Sequence, residues 1–153
     1  MLRERQSPPE FILPDKATGG HLALADLIGH TRIGIVLVPV RSEAERVQEF
    51  LVNCAKRSGE LRDRSVQILT ICSPEVTLVL PADWTDVHIL IDATGQTSKQ
   101  YDGSNEHSSF YLIDKSGLIH VAQADIPTID ELLAIIDVMP MRQNELMDAS
   151  MGA

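Results

Sequence analysis

The sequence is poor in aromatic residues, in cysteine and in basic residues. Phe, Trp and Tyr make up only 4% of its 153 residues, so we expect a core built mainly from Val, Ile, Leu and Ala. Two cysteines cannot supply the disulfide framework of a small secreted domain. Lys and Arg number 13 against 22 Asp and Glu, a formal charge of −9, and such an acidic surface repels nucleic acid and anionic lipid. We therefore expect neither as a partner.

Long hydrophobic runs are also missing. The longest apolar run, residues 33–40, is far too short to span a bilayer. Residues 1–14 carry charges and two consecutive prolines and contain no apolar core of a signal peptide. These absences predict a cytoplasmic protein without a membrane segment. By length we expect one domain over residues 1–140, followed by a flexible tail over residues 141–153, where no periodic pattern is visible.

Hydrophobic periodicity predicts strands that alternate with helices. Turn residues at 15–20, between two short apolar segments, predict an N-terminal hairpin. Ser42 and Glu45 have the spacing of a capping box, and the apolar residues after them recur at helical spacing, which predicts a helix over residues 43–58. Three runs rich in β-branched residues predict buried strands, at residues 33–38, 66–72 and 87–91.

The last third of the chain predicts a second hairpin and a final helix. The turn residues 114–117 lie between two β-prone apolar segments. Thr128 and Glu131 form another capping box, which opens a helix that Pro140 ends. Strands joined through helices pair in parallel, and the late hairpin adds an antiparallel edge. We therefore expect an α/β fold with a central mixed sheet, helices on both faces and an N-terminal β-hairpin; the conformation of residues 76–86 stays open.

A set of short segments, in this order, resembles the alkyl hydroperoxide reductase and thiol-specific antioxidant family, the peroxiredoxin-like redoxins of the thioredoxin superfamily. The resemblance covers most of residues 8–138. It implies a thioredoxin-like fold and places the site residues discussed below. The matching segments are residues 9–14 (PEFILP), 22–27 (LALADL), 36–39 (VLVP), 66–71 (VQILTI), 73–75 (SPE), 91–95 (IDATG), 101–103 (YDG), 110–119 (FYLIDKSGLI) and 129–134 (IDELLA).

The chemistry of that family needs a thiolate at the start of the first long helix, where the positive helix end lowers the cysteine pKa. Counting from Pro39, which ends the strand as in the relatives, the reactive position falls on Arg46, within the window Glu43–Arg46. A guanidinium cannot act as a nucleophile. Ser108 stands where the relatives place a cis-proline or an arginine. The resemblance therefore implies a redoxin with a degenerate active site, at positions Pro39, Ser42, Glu43, Arg46 and Ser108, and without a cofactor.

The two cysteines lie elsewhere in the sequence. Cys54 belongs to the apolar stripe of the long helix, so we expect a buried core thiol. Cys72 ends the second buried strand, level with the expected active-site end of the sheet, and is the one candidate for a relocated reactive thiol. No basic residue adjoins Cys72 in sequence, and Glu75 would raise the pKa of its thiol. The two sulfur atoms belong at opposite ends of their elements, so no disulfide between them is expected.

Other patterns favour structural roles. The histidines at positions 21, 30, 88, 107 and 120 are scattered and show no metal-ligand spacing, so we expect no metal site. Arg41 and Arg46 could clamp an anion at the helix start, but Glu43 and Glu45 already occupy that positive end, which favours a surface ion pair. Trp84 is interpreted as a packing residue.

Two functional hypotheses remain. The first is a catalytically silent redoxin-like domain that acts through protein contacts, with a protein partner or as a homodimer. The second is an atypical thiol-dependent antioxidant oxidoreductase or redox sensor that uses Cys72. A weaker third idea is a small ligand in the vacated pocket near Ser42 and Ser108.

Overall fold

A five-stranded mixed sheet forms the centre of the protein in the computed structural model, which describes residues 2–80, 86–101 and 106–151. The strands are β1 (Ile12–Pro14), β2 (His21–Ala23), β3 (Arg32–Val38), β4 (Val66–Cys72), β5 (Val87–Ile91), β6 (Ser109–Ile113) and β7 (Ile119–Gln123). The helices are α1 (Ala44–Lys56), α2 (Ser58–Asp63), α3 (Gln96–Gln100), α4 (Ile129–Asp137) and α5 (Pro140–Met151), with short 3₁₀ turns at Leu24–Asp26 and Arg41–Glu43.

The strand order in the sheet is β5-β4-β3-β6-β7. β3 is the central strand, and all of its residues are buried, as its unbroken apolar run predicts. It pairs in parallel with β4, which pairs in parallel with β5, and it pairs antiparallel with β6. β6 and β7 form the predicted antiparallel hairpin. The expected mixed sheet and the N-terminal hairpin of β1 and β2 are therefore confirmed.

Two apolar layers cover the sheet. On one face, α1 and α4 contribute Val47, Leu51, Leu132 and Ile136 to a core that also contains both cysteines. On the other face, the N-terminal segment contributes Phe11, Leu13 and Leu24, which pack with Tyr101, Tyr111 and the alternate residues of the strands. Aliphatic side chains dominate both layers, as the low aromatic content predicts.

The N-terminal segment runs from one edge of the sheet to the other. At the β7 edge, the backbone N–H of Arg5 donates to the carbonyl of Ile119 at 2.6 Å, and the N–H of Ile119 donates to the carbonyl of Gln6 at 2.9 Å. At the β5 edge, Asp15 forms a bridge with Leu90. We call residues 5–16 the strap. Because the strap pairs with both outer strands, it blunts the edges at which another chain could add a strand.

The start of α1 differs from the sequence prediction. No side chain caps the helix, so the capping box predicted at Ser42 and Glu45 is wrong. The 3₁₀ turn Arg41–Glu43 precedes α1 and makes Glu43 the residue at its N-cap position. α1 also ends at Lys56 rather than near residue 58, because the backbone of Arg57 leaves the helical conformation before α2 begins.

The C-terminal part also differs from its prediction. The capping box of Thr128 and Glu131 is confirmed at the start of α4. Pro140 does not end α4, which stops at Asp137; it is the first residue of α5, a position where a missing N–H costs no hydrogen bond. Residues 141–151, where the sequence predicted a flexible tail, are helical. The buried guanidinium of Arg142 ties this helix to Asp63 at 2.8 Å.

Residues 76–80 have no regular secondary structure, and side chains hold their backbone in place. The amide of Gln48 in α1 donates to the carbonyl of Val79 and accepts the N–H of Val79, both at 2.8 Å. Lys16 donates to the carbonyl of Leu78 at 3.2 Å. Residues 81–85, which include Trp84, lie outside the described residues.

Candidate functional site

The candidate site lies where β3 and β4 end and α1 begins. Val38 and Cys72 are register partners, and the N–H of Ser73 donates to the carbonyl of Val38 at 3.2 Å. On the other side of β3, Leu37 pairs with Ser109, so Ser108 reaches the same end of the sheet. Pro39 follows β3 there, half-buried, and leads into the 3₁₀ turn that carries Glu43.

Glu43 is the centre of this site. Its side chain is buried, with only 7% of the residue exposed, although a carboxylate is rarely buried without partners. Its Oε1 atom accepts the backbone N–H of Ser108 at 2.6 Å. The guanidinium of Arg46 lies 3.7 Å from Oε2, and Nδ1 of His107 lies 4.0 Å from Oε1. The carboxylate thus occupies the positive end of α1, where an anion is stabilised, and joins the helix to the strand that follows Ser108.

Arg46, the position on which the family's thiol was expected, faces solvent. Its side chain is 56% exposed and lies 3.6 Å from Asp125 as well as near Glu43. Arg41 is exposed and makes no ion pair with any residue in the described ranges. The carboxylate of Glu43 therefore neutralises the positive end of α1. Arg46 forms the surface ion pair expected from the sequence rather than an anion clamp with Arg41.

Three buried hydroxyl groups near this end of the sheet have no hydrogen-bond partner among the described residues: those of Thr70, Ser73 and Ser108. Ser108 is 3% exposed, whereas Ser42 faces solvent, so the two serines do not share one open surface. The sequence analysis named Ser108 but missed Thr70 and Ser73. The sequence feature that could have indicated them is a polar residue inside a buried strand or directly after one.

Both thiols are buried and unpaired. Cys72 and Cys54 have no exposed surface, and no disulfide joins them. Burial raises the pKa of Cys72 to about 12, although the nearby charge of Lys16 lowers it. Burial alone raises the pKa of Cys54 to about 12. Since the thiolate is the nucleophile, neither sulfur atom is activated in this conformation.

Comparison with known protein families identifies the chain. A family model described as a domain of unknown function, DUF4174, matches residues 23–145, most of the chain. The chain belongs to the DUF4174 family. No curated protein sequence matches this DUF4174 chain. The matched region extends into α5, beyond the boundary at residue 140 that was expected from sequence.

Solved structures show which fold this DUF4174 member adopts. The yeast mitochondrial 1-Cys peroxiredoxin superposes with a TM-score of 0.76 and 17% identity, over 95% of this chain and 79% of that chain. The Plasmodium vivax 2-Cys peroxiredoxin superposes with a TM-score of 0.71 and 19% identity, over 94% of this chain and 99% of that chain. A DsbE-type thiol:disulfide interchange protein from Chlorobium tepidum superposes with a TM-score of 0.66 and 16% identity, over 89% of this chain and 99% of that chain. The thioredoxin-like redoxin fold is therefore confirmed.

One histidine of the DUF4174 chain, His88, has a structural position in the sheet. His88 of β5 lies between Asp15 and Gln67, with its ring nitrogens 3.1 Å from Oδ2 of Asp15 and 3.0 Å from Oε1 of Gln67. Within the described ranges, no group of three or more His, Cys, Asp or Glu side chains is arranged to hold a metal ion. In the same part of the chain, none of the helices is long and apolar enough to cross a bilayer.

Proposed function

We propose that this protein is a catalytically silent redoxin-like domain that acts through contacts with other proteins. The observation that supports it best is the buried carboxylate of Glu43 at the start of α1. In the redoxins that the chain resembles, this helix start holds a thiolate. Here a side chain of the chain itself supplies the negative charge and is engaged by the N–H of Ser108 at 2.6 Å, so the site is filled from within.

The positions of the two cysteines support the same proposal. A thiol with a pKa of about 12 is almost entirely protonated at neutral pH, with roughly one thiolate in 10⁵ molecules. Cys72 also has no exposed surface through which a peroxide or a disulfide could approach. The rival function, a thiol-dependent oxidoreductase or redox sensor, therefore requires a conformation that uncovers Cys72.

The proposed role in protein contacts is supported by exposed apolar side chains around the start of α5. Among the described residues, four of the seven large hydrophobic side chains with high exposure fall between residues 138 and 147: Val138, Met141, Leu146 and Met147. Val138 is 73% exposed and Met147 is 61% exposed. Exposed apolar groups concentrated in one segment are typical of interaction surfaces. The partner is a different protein or a second copy of the chain. The free cysteines fit a reducing compartment, and we propose the cytoplasm.

Thiol labelling combined with turnover assays tests the silent-domain proposal. We expect no iodoacetamide modification of Cys72 or Cys54 in native protein at neutral pH, and complete modification after denaturation. We also expect no thiol-peroxidase or disulfide-reductase turnover. Rapid labelling of native Cys72, with turnover that Cys72→Ala abolishes, would establish the rival function. Turnover that survives Cys72→Ala together with Cys54→Ala would exclude both hypotheses.

A charge placed among the exposed apolar residues of segment 138–147 tests the protein-contact proposal. Val138→Glu and Met147→Glu should abolish either self-association in light scattering or the recovery of a specific partner from the native cell. Val52→Glu is the matched control, because Val52 is also exposed, at 37%, but lies on α1. If the control behaves like the Val138→Glu and Met147→Glu variants, segment 138–147 is not the interface.

A further inference from the structure

A histidine at the β5 edge has an acceptor opposite each of its two ring nitrogens. Nδ1 of His88 lies 3.1 Å from Oδ2 of Asp15 in the strap, and Nε2 lies 3.0 Å from Oε1 of Gln67 in β4. The amide nitrogen of Gln67 donates to Oδ1 of Asp86 at 3.1 Å, which orients the amide oxygen toward the ring. The other oxygen of Asp86 lies 3.3 Å from Nε of Arg62, and this cation favours an ionised carboxylate. The network therefore presents only acceptors to the ring.

This arrangement requires a proton on each nitrogen of the ring. A neutral imidazole has one N–H and one lone pair. With the N–H of His88 directed at Asp15, the lone pair on Nε2 would face the oxygen of Gln67. A reversed amide of Gln67 would supply an N–H to that lone pair, but its oxygen would then face the carboxylate of Asp86. A protonated ring donates to both acceptors, and it keeps the proton because imidazole is more basic than a carboxylate.

The charge on the ring matters because Asp15 is buried. The residue is only 4% exposed. Its other contact in the described part of the chain is with the N–H of Ala17, which donates to Oδ1 at 2.9 Å. The adjacent cation, Lys16, donates to the carbonyl of Leu78 instead. A buried carboxylate is costly unless it is paired. The ring of His88 is therefore the counter-charge of Asp15.

The same part of the strap pairs with the outer strand of the sheet. Asp15 forms the bridge with Leu90, and the N–H of Lys16 donates to the carbonyl of Ile89 at 2.9 Å. The side chain of His88, one residue earlier in β5, is 21% exposed, so the ring exchanges protons with solvent. A titratable group thus joins the strap and the β5 edge at the point where their backbones pair.

We propose that the charge on the ring of His88 holds the strap against the β5 edge, and that loss of one proton loosens it. Deprotonation removes the counter-charge of Asp15 and replaces a charge-assisted hydrogen bond by a neutral one, which is roughly half as strong. Because the protonated ring stabilises the docked strap, docking is strongest at acidic pH and weakens as the pH rises through the range in which imidazoles titrate. A loosened strap uncovers backbone groups of β5 to which an extended segment can pair. This proposal depends neither on a silent redoxin site nor on segment 138–147.

Two NMR measurements on one ¹⁵N-labelled sample, from about pH 5 to about pH 8, test the proposal. The ring ¹⁵N shifts of His88 report which nitrogens carry protons, and hydrogen exchange of the N–H of Lys16 reports the docking of the strap. We expect protons on both nitrogens at the acidic end. Protection of the Lys16 N–H, corrected for base catalysis, should fall about tenfold with the same midpoint as the ring, since about one hydrogen bond is lost. Amides of β3 should not follow the ring.

A matched pair of variants assigns the effect to one histidine. His88→Gln has no titrating ring, so protection of the Lys16 N–H should be low and independent of pH. His30→Gln is the control, because His30 is exposed in the turn before β3, and this variant should keep the full pH dependence.

The outcomes decide between a local pH-dependent contact and a general loss of stability. Protection of Lys16 that follows the ring of His88 and disappears as a pH effect in His88→Gln supports the proposal. Protection that ignores the titration of the ring, or an equal change in the amides of β3, would overturn it. So would a ring nitrogen without a proton at the acidic end. The ring measurement uses the unaltered chain, so it decides the question even when His88→Gln does not fold.

Discussion

Glu43 shows how a single side chain defines the chemistry of this site. A carboxylate at the N-terminus of α1 interacts with the helix dipole at all times, because it is covalently part of the helix. It also accepts the N–H of Ser108, which precedes β6. An anionic substrate that approached this helix end would have to displace Glu43 from both interactions. The residue therefore acts as a permanent occupant and as a tie between α1 and the central sheet.

Replacement of Glu43 should lower the free energy of unfolding, and the decrease should be larger when the hydrogen-bond acceptor for Ser108 is lost. Glu43→Ala leaves the buried N–H of Ser108 without an acceptor, so we expect a loss of about 1–3 kcal/mol in the free energy of unfolding. Glu43→Gln keeps an acceptor oxygen and should lose less. Glu45→Gln is the matched control, because Glu45 lies on the same turn but is exposed. Urea denaturation measures all three; an unchanged Glu43→Ala variant would contradict the tie between α1 and the sheet.

At the scale of secondary-structure elements, α5 is held mainly by charged groups. Arg142 pairs with Asp63 at 2.8 Å and contacts Asp137 at 3.4 Å, and Glu145 bridges Arg32 and Lys115. Burial raises the pKa of Glu145, but hydrogen bonds and charges from Arg32 and Lys115 outweigh burial and lower it from 4.5 to about 2. An element docked in this way depends on pH and salt more than an element held by apolar contacts.

Acidification should weaken the docking of α5. Because the folded pKa of Glu145 lies below its unfolded value, its contribution is fully present above pH 4.5 and is lost as the pH falls toward about 2. We expect a contribution of about 1–2 kcal/mol, discounted for solvent screening of a partly exposed carboxylate. Hydrogen exchange in α5 across this range measures it. Glu145→Gln should reduce the pH dependence of α5 docking, whereas Asp148→Asn, in an exposed position of the same helix, should leave it unchanged; Asp137, whose pKa its hydrogen bond with Arg64 lowers, accounts for part of what remains.

The sequence predicted elements best where the pattern is local. β4 and β5 have the predicted bounds, because continuous β-branched runs bounded by turn residues specify buried strands without further information. The capping box at Ser42 failed because the choice between two helix starts is made by a long-range contact, that of Glu43 with Ser108. α5 was missed for the same reason: its polar residues follow no apolar stripe, and their partners, such as Arg32, lie far away in sequence.

The candidate site was predicted in part. Counting from Pro39 placed Glu43 and Arg46 at the helix start, and the structure puts both there, with Ser108 across from them. The sequence could not reveal that Glu43 turns inward while Arg46 faces solvent, since both are ordinary surface residues by type. Nor could it reveal the unpaired Nε atom of Arg32, because the burial of that side chain depends on α5.

At the scale of the whole molecule, the strap determines how the sheet meets other chains. Residues 5 and 6 pair with Ile119 of β7, and residue 15 bridges Leu90 of β5. Between these points, Phe11 and Leu13 are buried against one face of the sheet. A single segment thus protects two edges and one apolar face. Its removal would expose the features that promote strand addition between molecules.

Truncation of the strap should therefore cause association rather than simple unfolding. A variant that lacks residues 2–9 loses the pairing with β7 but keeps the β1–β2 hairpin, and we expect it to form higher oligomers in light scattering. A variant that lacks only residues 2 and 3 keeps Arg5 and Gln6 and should behave like the full chain. A monomeric, stable long truncation would show that the β7 edge is protected by other means.

The strap has a consequence for the order of events during synthesis. The strap is synthesised before the strands that it covers, and its partner Ile119 is made more than a hundred residues later. At about 5–20 residues per second, the nascent chain waits several seconds before that partner exists. During this interval β3, β4 and β5 can assemble, but the sheet still lacks β7 and its pairing with the strap. The strap can therefore reach its final place only after β7 has emerged from the ribosome.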